Sequence, residues 1–228
     1  MSFEDLSLTA SDGVKINGWY VPAPDARTTL LLFHGNGGNM SHRIELLRRL
    51  HRIDVNVFMI DYRGYGKSEG KISEEGTYRD ALAAYDSLLT RADVDPSRIV
   101  VFGQSLGAGV AVELATRRKL AGLILEAPFA SIREMAKVVV PWLPIGRLIS
   151  TRYDNLAKIK KIQIPLLILH GDRDEVVPYA QGRRIFEAAN EPKRFYTIVG
   201  AGHNNTYRVG GEGYDEAIKG FIEEVQKL

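Results

Sequence analysis

The sequence contains no cysteine, and this absence limits the chemistry that the chain can perform. Disulfide bonds, a thiolate nucleophile and cysteine-based metal sites are all excluded. The five histidines include no pair at the spacing typical of a metal site. We therefore expect a protein that works without a metal or another cofactor.

A strong charge of either sign is also missing. The 30 Lys and Arg residues nearly balance the 28 Asp and Glu residues, which leaves a net charge of +2 over 228 residues. This balance argues against nucleic acid or an anionic membrane as a partner and leaves a small molecule as the expected ligand. Neither a leader-like start nor an apolar run of membrane-spanning length occurs, so we expect a soluble, cytoplasmic protein.

Short apolar runs alternate with helical patterns along the whole chain. Residues 3–8 and 14–21 flank a Ser-Asp-Gly turn, which is typical of an antiparallel hairpin. The patterns predict further strands at 29–33, 55–60, 98–102, 123–125, 164–170 and 194–199, and helices at 41–52, 77–91, 181–190 and 214–227. This alternation predicts an α/β fold with a doubly wound, mostly parallel sheet, in a single domain that covers residues 1–228.

The most informative pattern lies in the middle of the chain. An apolar strand runs directly into Gly103-Gln104-Ser105-Leu106-Gly107, and a helix of small residues begins at once. In such an arrangement the glycines permit a sharp turn, and the serine hydroxyl is exposed at its tip as a nucleophile. The pattern by itself also fits another role for Ser105, as the N-cap of an ordinary helix.

A serine nucleophile needs a base that takes its proton and an acid that orients the base. Asp172 and Asp174 follow one predicted strand, and His203 follows the next. Open α/β sheets bind their ligands at the edge formed by the C-terminal ends of the strands, where all these residues stand. Because the two aspartates lie two residues apart in one loop, we expect only one to reach the histidine. A turn or helix-capping role is the alternative for Asp172.

Six short segments, spread over nearly the whole chain, form a distinctive set. They are HGNGGN at 34–39, DYRGYGKSEG at 61–70, GQSLG at 103–107, EAPF at 126–129, HGDRD at 170–174 and GH at 202–203. Together they resemble the α/β-hydrolase superfamily, most of all the compact serine hydrolases that include the depalmitoylating thioesterases and their bacterial relatives. The resemblance implies the α/β-hydrolase fold, with Ser105 as the nucleophile, Asp174 as the orienting acid and His203 as the general base.

Two backbone amides are expected to bind the oxyanion of the reaction. One belongs to Leu106, directly after the serine, and the other to Asn36, in the loop after an earlier strand. Glycines at 35, 37 and 38 would let this loop run close to a substrate carbonyl. A flexible glycine turn without a catalytic role is the alternative.

Residues 130–161 are predicted to form a short cap within the domain, over the active site. Met135 and Trp142 are expected to line an acyl pocket in this cap. Packing against the sheet, or contact with a partner or a membrane surface, are the alternatives for its apolar residues. Its basic side chains fit either a substrate with an acidic group or a solvated face; they are Arg133, Lys137, Arg147 and Arg152.

These features predict a serine hydrolase of the carboxylesterase or thioesterase type, which cleaves esters or thioesters of small to medium acyl chains through an acyl-enzyme. An aminopeptidase-like amide hydrolase and a C–C hydrolase use the same residue types and remain alternatives. A non-catalytic ligand receptor on a hydrolase scaffold is a third. Such receptors commonly lack a triad member, whereas Ser105, Asp174 and His203 are all present. The sequence does not indicate an oligomeric state.

Overall fold

A computed structural model describes residues 1–139 and 151–227, without the side chain of Val139. The described residues form one sheet of eight strands: β1 (Glu4–Thr9), β2 (Lys15–Val21), β3 (Thr29–Phe33), β4 (Asn56–Asp61), β5 (Ile99–Gln104), β6 (Gly122–Glu126), β7 (Leu166–Gly171) and β8 (Lys193–Ile198). Their order in the sheet is β1-β2-β4-β3-β5-β6-β7-β8. The β1–β2 and β2–β4 pairs are antiparallel and the other pairs are parallel. The predicted, mostly parallel sheet with an antiparallel N-terminal hairpin is confirmed.

Helices cover both faces of this sheet. Those in the described residues are α1 (Ile44–His51), α2 (Glu74–Leu89), α3 (Leu106–Arg117), α4 (Ile132–Val139), α5 (Asn155–Ile159), α6 (Tyr179–Ala188) and α7 (Thr206–Val225). Helices α1 and α7 pack on one face, where Leu47 and Tyr214 are fully buried. Helices α2, α3, α5 and α6 pack on the other, where Ala111 and Ile185 are fully buried. None of the described helices combines the length and the apolarity that crossing a bilayer requires.

The central strands bring their C-terminal ends to one edge of the sheet. Strands β3, β5, β6 and β7 are almost continuous apolar runs, because helices cover both of their faces. Their parallel register pairs Phe33 with Gly103, and Gln104 with Glu126. The loops that follow these ends, where the sequence predicts the functional residues, therefore emerge side by side.

Two helices begin three or more residues earlier than the sequence predicts, and both differences concern residues beside this edge. Helix α2 starts at Glu74 because the side chain of Ser73 accepts a hydrogen bond from the Gly76 amide and caps it. Helix α7 starts at Thr206 and is interrupted at Gly211, whose backbone has φ 52° and ψ −132°. Several glycines in its first turns hide the helical pattern, since glycine is a poor helix former.

The segment predicted as a cap contains α4 and α5. Two backbone hydrogen bonds join its ends: the Ile132 amide donates to the Arg152 carbonyl at 2.9 Å, and the Leu156 amide donates to the Ala130 carbonyl at 3.0 Å. Residues 140–150 lie outside the described residues. The division into one domain with a cap at 130–161 stays a prediction.

Candidate active site

Ser105 lies in a sharp turn between β5 and α3. Its backbone has φ 51° and ψ −113°, a combination that a side-chain-bearing residue adopts only under constraint from its surroundings. The turn is tight because a Cβ at Gly103 would collide with the Gly107 carbonyl, and one at Gly107 would collide with the Phe33 carbonyl. The Ser105 amide donates to the Glu126 carbonyl at 2.9 Å, which fixes the turn to the end of β6. The hydroxyl is thus held at the edge of the sheet.

His203 and Asp174 meet this hydroxyl from two other loops. The Nε2 atom of His203 lies 3.1 Å from Ser105 Oγ, and its Nδ1 atom lies 2.8 Å from Asp174 Oδ2. The three side chains, which are 98 and 29 residues apart in the chain, therefore form a continuous series of hydrogen-bond contacts. With Nδ1–H donating to the carboxylate, Nε2 carries the lone pair that faces the serine hydroxyl.

The carboxylate of Asp174 is buried and receives several hydrogen bonds. Its Oδ1 atom accepts from the amides of Val176 and Val177 at 2.9 and 2.8 Å. The Nε2 atom of His170 lies 3.4 Å from Asp174 Oδ2 and donates a hydrogen bond to the Val177 carbonyl at 3.0 Å. Burial alone would raise the pKa of Asp174, but the hydrogen bonds from His170 and His203 outweigh it and hold that pKa well below its usual range. The acid is therefore ionised at neutral pH.

Asp172 and Glu175, the other two acids of this loop, bind backbone amides and not the imidazole ring. Asp172 is exposed, and its Oδ1 atom accepts from the Gly200 amide at 2.6 Å. Glu175 accepts from the backbone amide of His203 at 3.2 Å. Both carboxylates hydrogen-bond the loop that carries His203, whereas Asp174 is the one that contacts its ring.

The two residues whose amides are predicted to bind the oxyanion line the same space. Leu106 is the first residue of α3, so its amide has no partner within the helix. The loop with Asn36 passes directly over the serine, because a Cβ at Gly35 would lie only 3.3 Å from Ser105 Cβ. Asn36, Ser105 and Leu106 all line one cavity.

A buried histidine supports the loop with Asn36. The ring of His34 is fully buried, and its Nε2 atom lies 3.2 Å from Asp61 Oδ1. That same oxygen accepts from the Met40 amide at 2.9 Å, and the Tyr62 hydroxyl donates to the His34 carbonyl at 3.0 Å. These contacts fix both ends of the glycine-rich loop.

The cavity beside Ser105 has a volume of about 380 Å³. Most of its wall is apolar and includes Ile72, Phe129, Ile132, Met135 and Val177. Met135 thus lies where the sequence predicts an acyl pocket, and its sulfur accepts from Gln181 Nε2 at 3.3 Å. Trp142, the second predicted wall residue, lies outside the described residues.

Sequence reasoning missed one polar residue of this region, Glu74. Glu74 lines the cavity, and its carboxylate accepts from the amides of Arg152 and Tyr153 at 2.6 and 2.8 Å. It is the one charged side chain among the described residues of the wall. None of the described basic side chains of the cap reaches this wall. A serine followed by two glutamates at 73–75 is a helix-start signal that would have found Glu74.

Comparisons with known proteins identify the family of this chain. The model of the family described as Serine aminopeptidase, S33, matches residues 24–158 and 145–207. A protein of Mycobacterium tuberculosis that is named uncharacterized is 40% identical over 226 residues, which are 98% of this chain and 80% of that protein. The alpha/beta hydrolase domain-containing protein WAV2 of Arabidopsis thaliana is 37% identical over 243 residues, with 97% of this chain and 79% of that protein covered.

A solved structure shows the same fold at lower sequence identity. The esterase Pf2001 of Pyrococcus furiosus has a TM-score of 0.82 and 21% identity, with 98% of this chain and 92% of that chain covered. Since the family model matches most of the chain, the protein belongs to the serine aminopeptidase S33 family and is an α/β-hydrolase.

Proposed function

We propose that the protein is a serine hydrolase that cleaves carboxylic esters or thioesters of small to medium acyl chains through an acyl-enzyme. The observation that carries this proposal is the series of contacts from Ser105 Oγ to His203 Nε2 at 3.1 Å and from His203 Nδ1 to Asp174 Oδ2 at 2.8 Å. These distances are within the range at which a nucleophile and its base exchange a proton.

In the proposed reaction, His203 takes the proton of Ser105 as the oxygen attacks the substrate carbonyl. Asp174 stays ionised and stabilises the imidazolium that forms. The amides of Leu106 and Asn36 donate to the oxyanion, and loss of one such donor typically raises the barrier by about 3 kcal/mol. The imidazolium then protonates the leaving alcohol or thiol. Water, deprotonated by His203, then attacks the acyl carbon, and the bond to Ser105 Oγ breaks as the imidazolium returns the proton to this oxygen and the acid leaves.

The cavity supports the choice of substrate class. Its apolar wall and its volume of about 380 Å³ fit an acyl chain more readily than a peptide segment. The described part of the wall has no basic side chain that would pair with an acidic group on the substrate. The expected substrate is therefore a neutral acyl ester or thioester. The cytoplasmic location expected from the sequence stays a prediction.

Glu74 favours a second candidate, an aminopeptidase-like hydrolase of aminoacyl amides. A carboxylate in the wall of the cavity is suited to a protonated amino group, and the description of the matching family is that of an aminopeptidase. Its two hydrogen bonds to the amides of Arg152 and Tyr153 give it a structural role as well. For this reason the ester or thioester is the first choice.

A substrate panel with two serine variants tests the proposal. It contains p-nitrophenyl esters of increasing chain length, acyl-CoA thioesters and aminoacyl p-nitroanilides. Ser105→Ala should abolish turnover and labelling by a fluorophosphonate probe without loss of the fold, whereas Ser97→Ala, at an exposed turn, should leave both unchanged. Ester hydrolysis retained in Ser105→Ala contradicts the assigned nucleophile. Absence of labelling in folded wild-type protein favours a receptor.

A further inference from the structure

Glu126 is a buried acid to which the proposed reaction assigns no role. It is the last residue of β6 and is 0% exposed. Among the described residues, no Lys, Arg or His side chain lies within ion-pair distance of its carboxylate. Burial of a carboxylate is costly unless hydrogen bonds replace the lost water. The donors that replace water therefore indicate what the residue holds in place.

Three side chains donate to this carboxylate, and two of them flank the candidate catalytic residues. Oε1 accepts from Gln104 Nε2 at 2.8 Å and from the Thr206 hydroxyl at 2.7 Å, while Oε2 accepts from the Tyr214 hydroxyl at 2.5 Å. Gln104 directly precedes Ser105. Thr206 begins α7, three residues after His203.

The backbone of Glu126 contributes a further contact, because its carbonyl accepts from the Ser105 amide at 2.9 Å. One residue thus joins the turn that carries the nucleophile to the loop that carries the base. These two segments are 98 residues apart in the chain, so their spacing depends on tertiary contacts of this kind.

We propose that Glu126 is a positioning residue that sets the separation between Ser105 Oγ and His203 Nε2; this inference rests on the proposed function. The carboxylate binds Gln104 on one side and Thr206 on the other through a single oxygen, so a shift of either segment strains the other. Displacement of a reacting group by about 1 Å can cost about 100-fold in rate.

The experiment compares Glu126→Gln and Thr206→Val with Tyr214→Phe as the matched control. Each substitution conserves shape. Thr206→Val removes one of the two donors to Oε1, whereas Glu126→Gln keeps an oxygen there but removes the charge that strengthens the hydrogen bonds from Gln104 and Thr206. Tyr214→Phe removes a donor from the same carboxylate, but on the part of α7 beyond the interruption at Gly211. Each variant is assayed for kcat and KM on a p-nitrophenyl ester, for the rate of fluorophosphonate labelling, and for urea unfolding.

In Glu126→Gln and Thr206→Val, we expect kcat and the labelling rate to fall together by about 10- to 100-fold, with KM changed less than about threefold. Tyr214→Phe should lose stability yet keep kcat within about threefold. Unchanged kcat in folded Thr206→Val, or an equal loss in Tyr214→Phe, overturns the inference. Should Glu126→Gln fail to fold, Thr206→Val decides alone by the same criteria. Wild-type protein that neither hydrolyses nor labels overturns the proposed function and the inference with it.

Discussion

Substitution of Asp174 by Asn tests which acid orients the base, and the structure fixes how the amide will lie. Oδ1 of Asp174 accepts from the amides of Val176 and Val177. An Asn with its NH2 group at this position would face two donors, and an unsatisfied buried donor costs about 1–3 kcal/mol. The amide oxygen therefore keeps this position, and the NH2 group takes the place of Oδ2, next to His203 Nδ1.

This orientation forces the imidazole into the unproductive tautomer. The NH2 group donates to Nδ1 of His203, so the ring proton moves to Nε2 and points at Ser105 Oγ, 3.1 Å away. In this form the ring cannot accept the serine proton. A change of this kind in a serine triad lowers kcat by about 10⁴-fold, which corresponds to about 5.4 kcal/mol of barrier.

Asp172→Asn is the matched control, because it makes the same change two residues away. The amide oxygen of Asn still accepts from the Gly200 amide, so we expect kcat to stay within about threefold of wild type. Both variants are assayed on a p-nitrophenyl ester, and circular dichroism checks that both are folded. Asp174→Asn with kcat within about tenfold of wild type, or an equal loss in Asp172→Asn, refutes the reasoning.

Three further predictions concern acid stability, backbone strain and chain length. Hydrogen bonds lower the pKa of Asp174 in the folded protein. The stability that its ionised form contributes is therefore present above the ordinary aspartate pKa of 3.8, and it is lost as pH falls through the lowered pKa of the folded state. Below about pH 4, the urea midpoint of the wild type should fall more steeply than that of Asp174→Asn. Because Ser105 has φ 51°, Ser105→Gly should be about 1 kcal/mol more stable to urea than Ser105→Ala, and equal stability would argue against strain at this residue. Met135→Ala should raise the ratio of octanoate to butyrate hydrolysis by about tenfold, whereas Val138→Ala, exposed on the same helix, should not.

The fold and the convergence of three site residues were accessible from the sequence because both depend on local patterns. Ser105, Asp174 and His203 each stand shortly after a strand whose apolar run is easy to recognise. Parallel strands align their C-terminal ends, so a topological rule brings these residues to one edge without any knowledge of contacts. The distances between them did not follow from such patterns.

The start of α2 shows why the cavity wall was harder to predict. Apolar periodicity predicts this helix from residue 77, because Glu74 and Glu75 add nothing to an apolar face. The helix begins at Glu74 through a cap from the side chain of Ser73. A prediction based on periodicity alone therefore left Glu74 in a loop, and its place in the wall of the cavity was missed.

A polar residue at the end of a buried apolar strand is a signal that can be recognised in the sequence, and it does not depend on helical periodicity. Glu126 ends the apolar run of β6, and His170 closely follows that of β7, so each faces a desolvation cost that only specific partners offset. In this protein those partners come from the segments that carry the candidate site: Thr206, which donates to Glu126, lies three residues after His203, and Asp174 contacts His170. We therefore expect a charged or polar residue at the end of a buried parallel strand to support the loop beside it. Thr206, the partner of Glu126, lies 80 residues away in the chain and is visible only once the sheet is assembled.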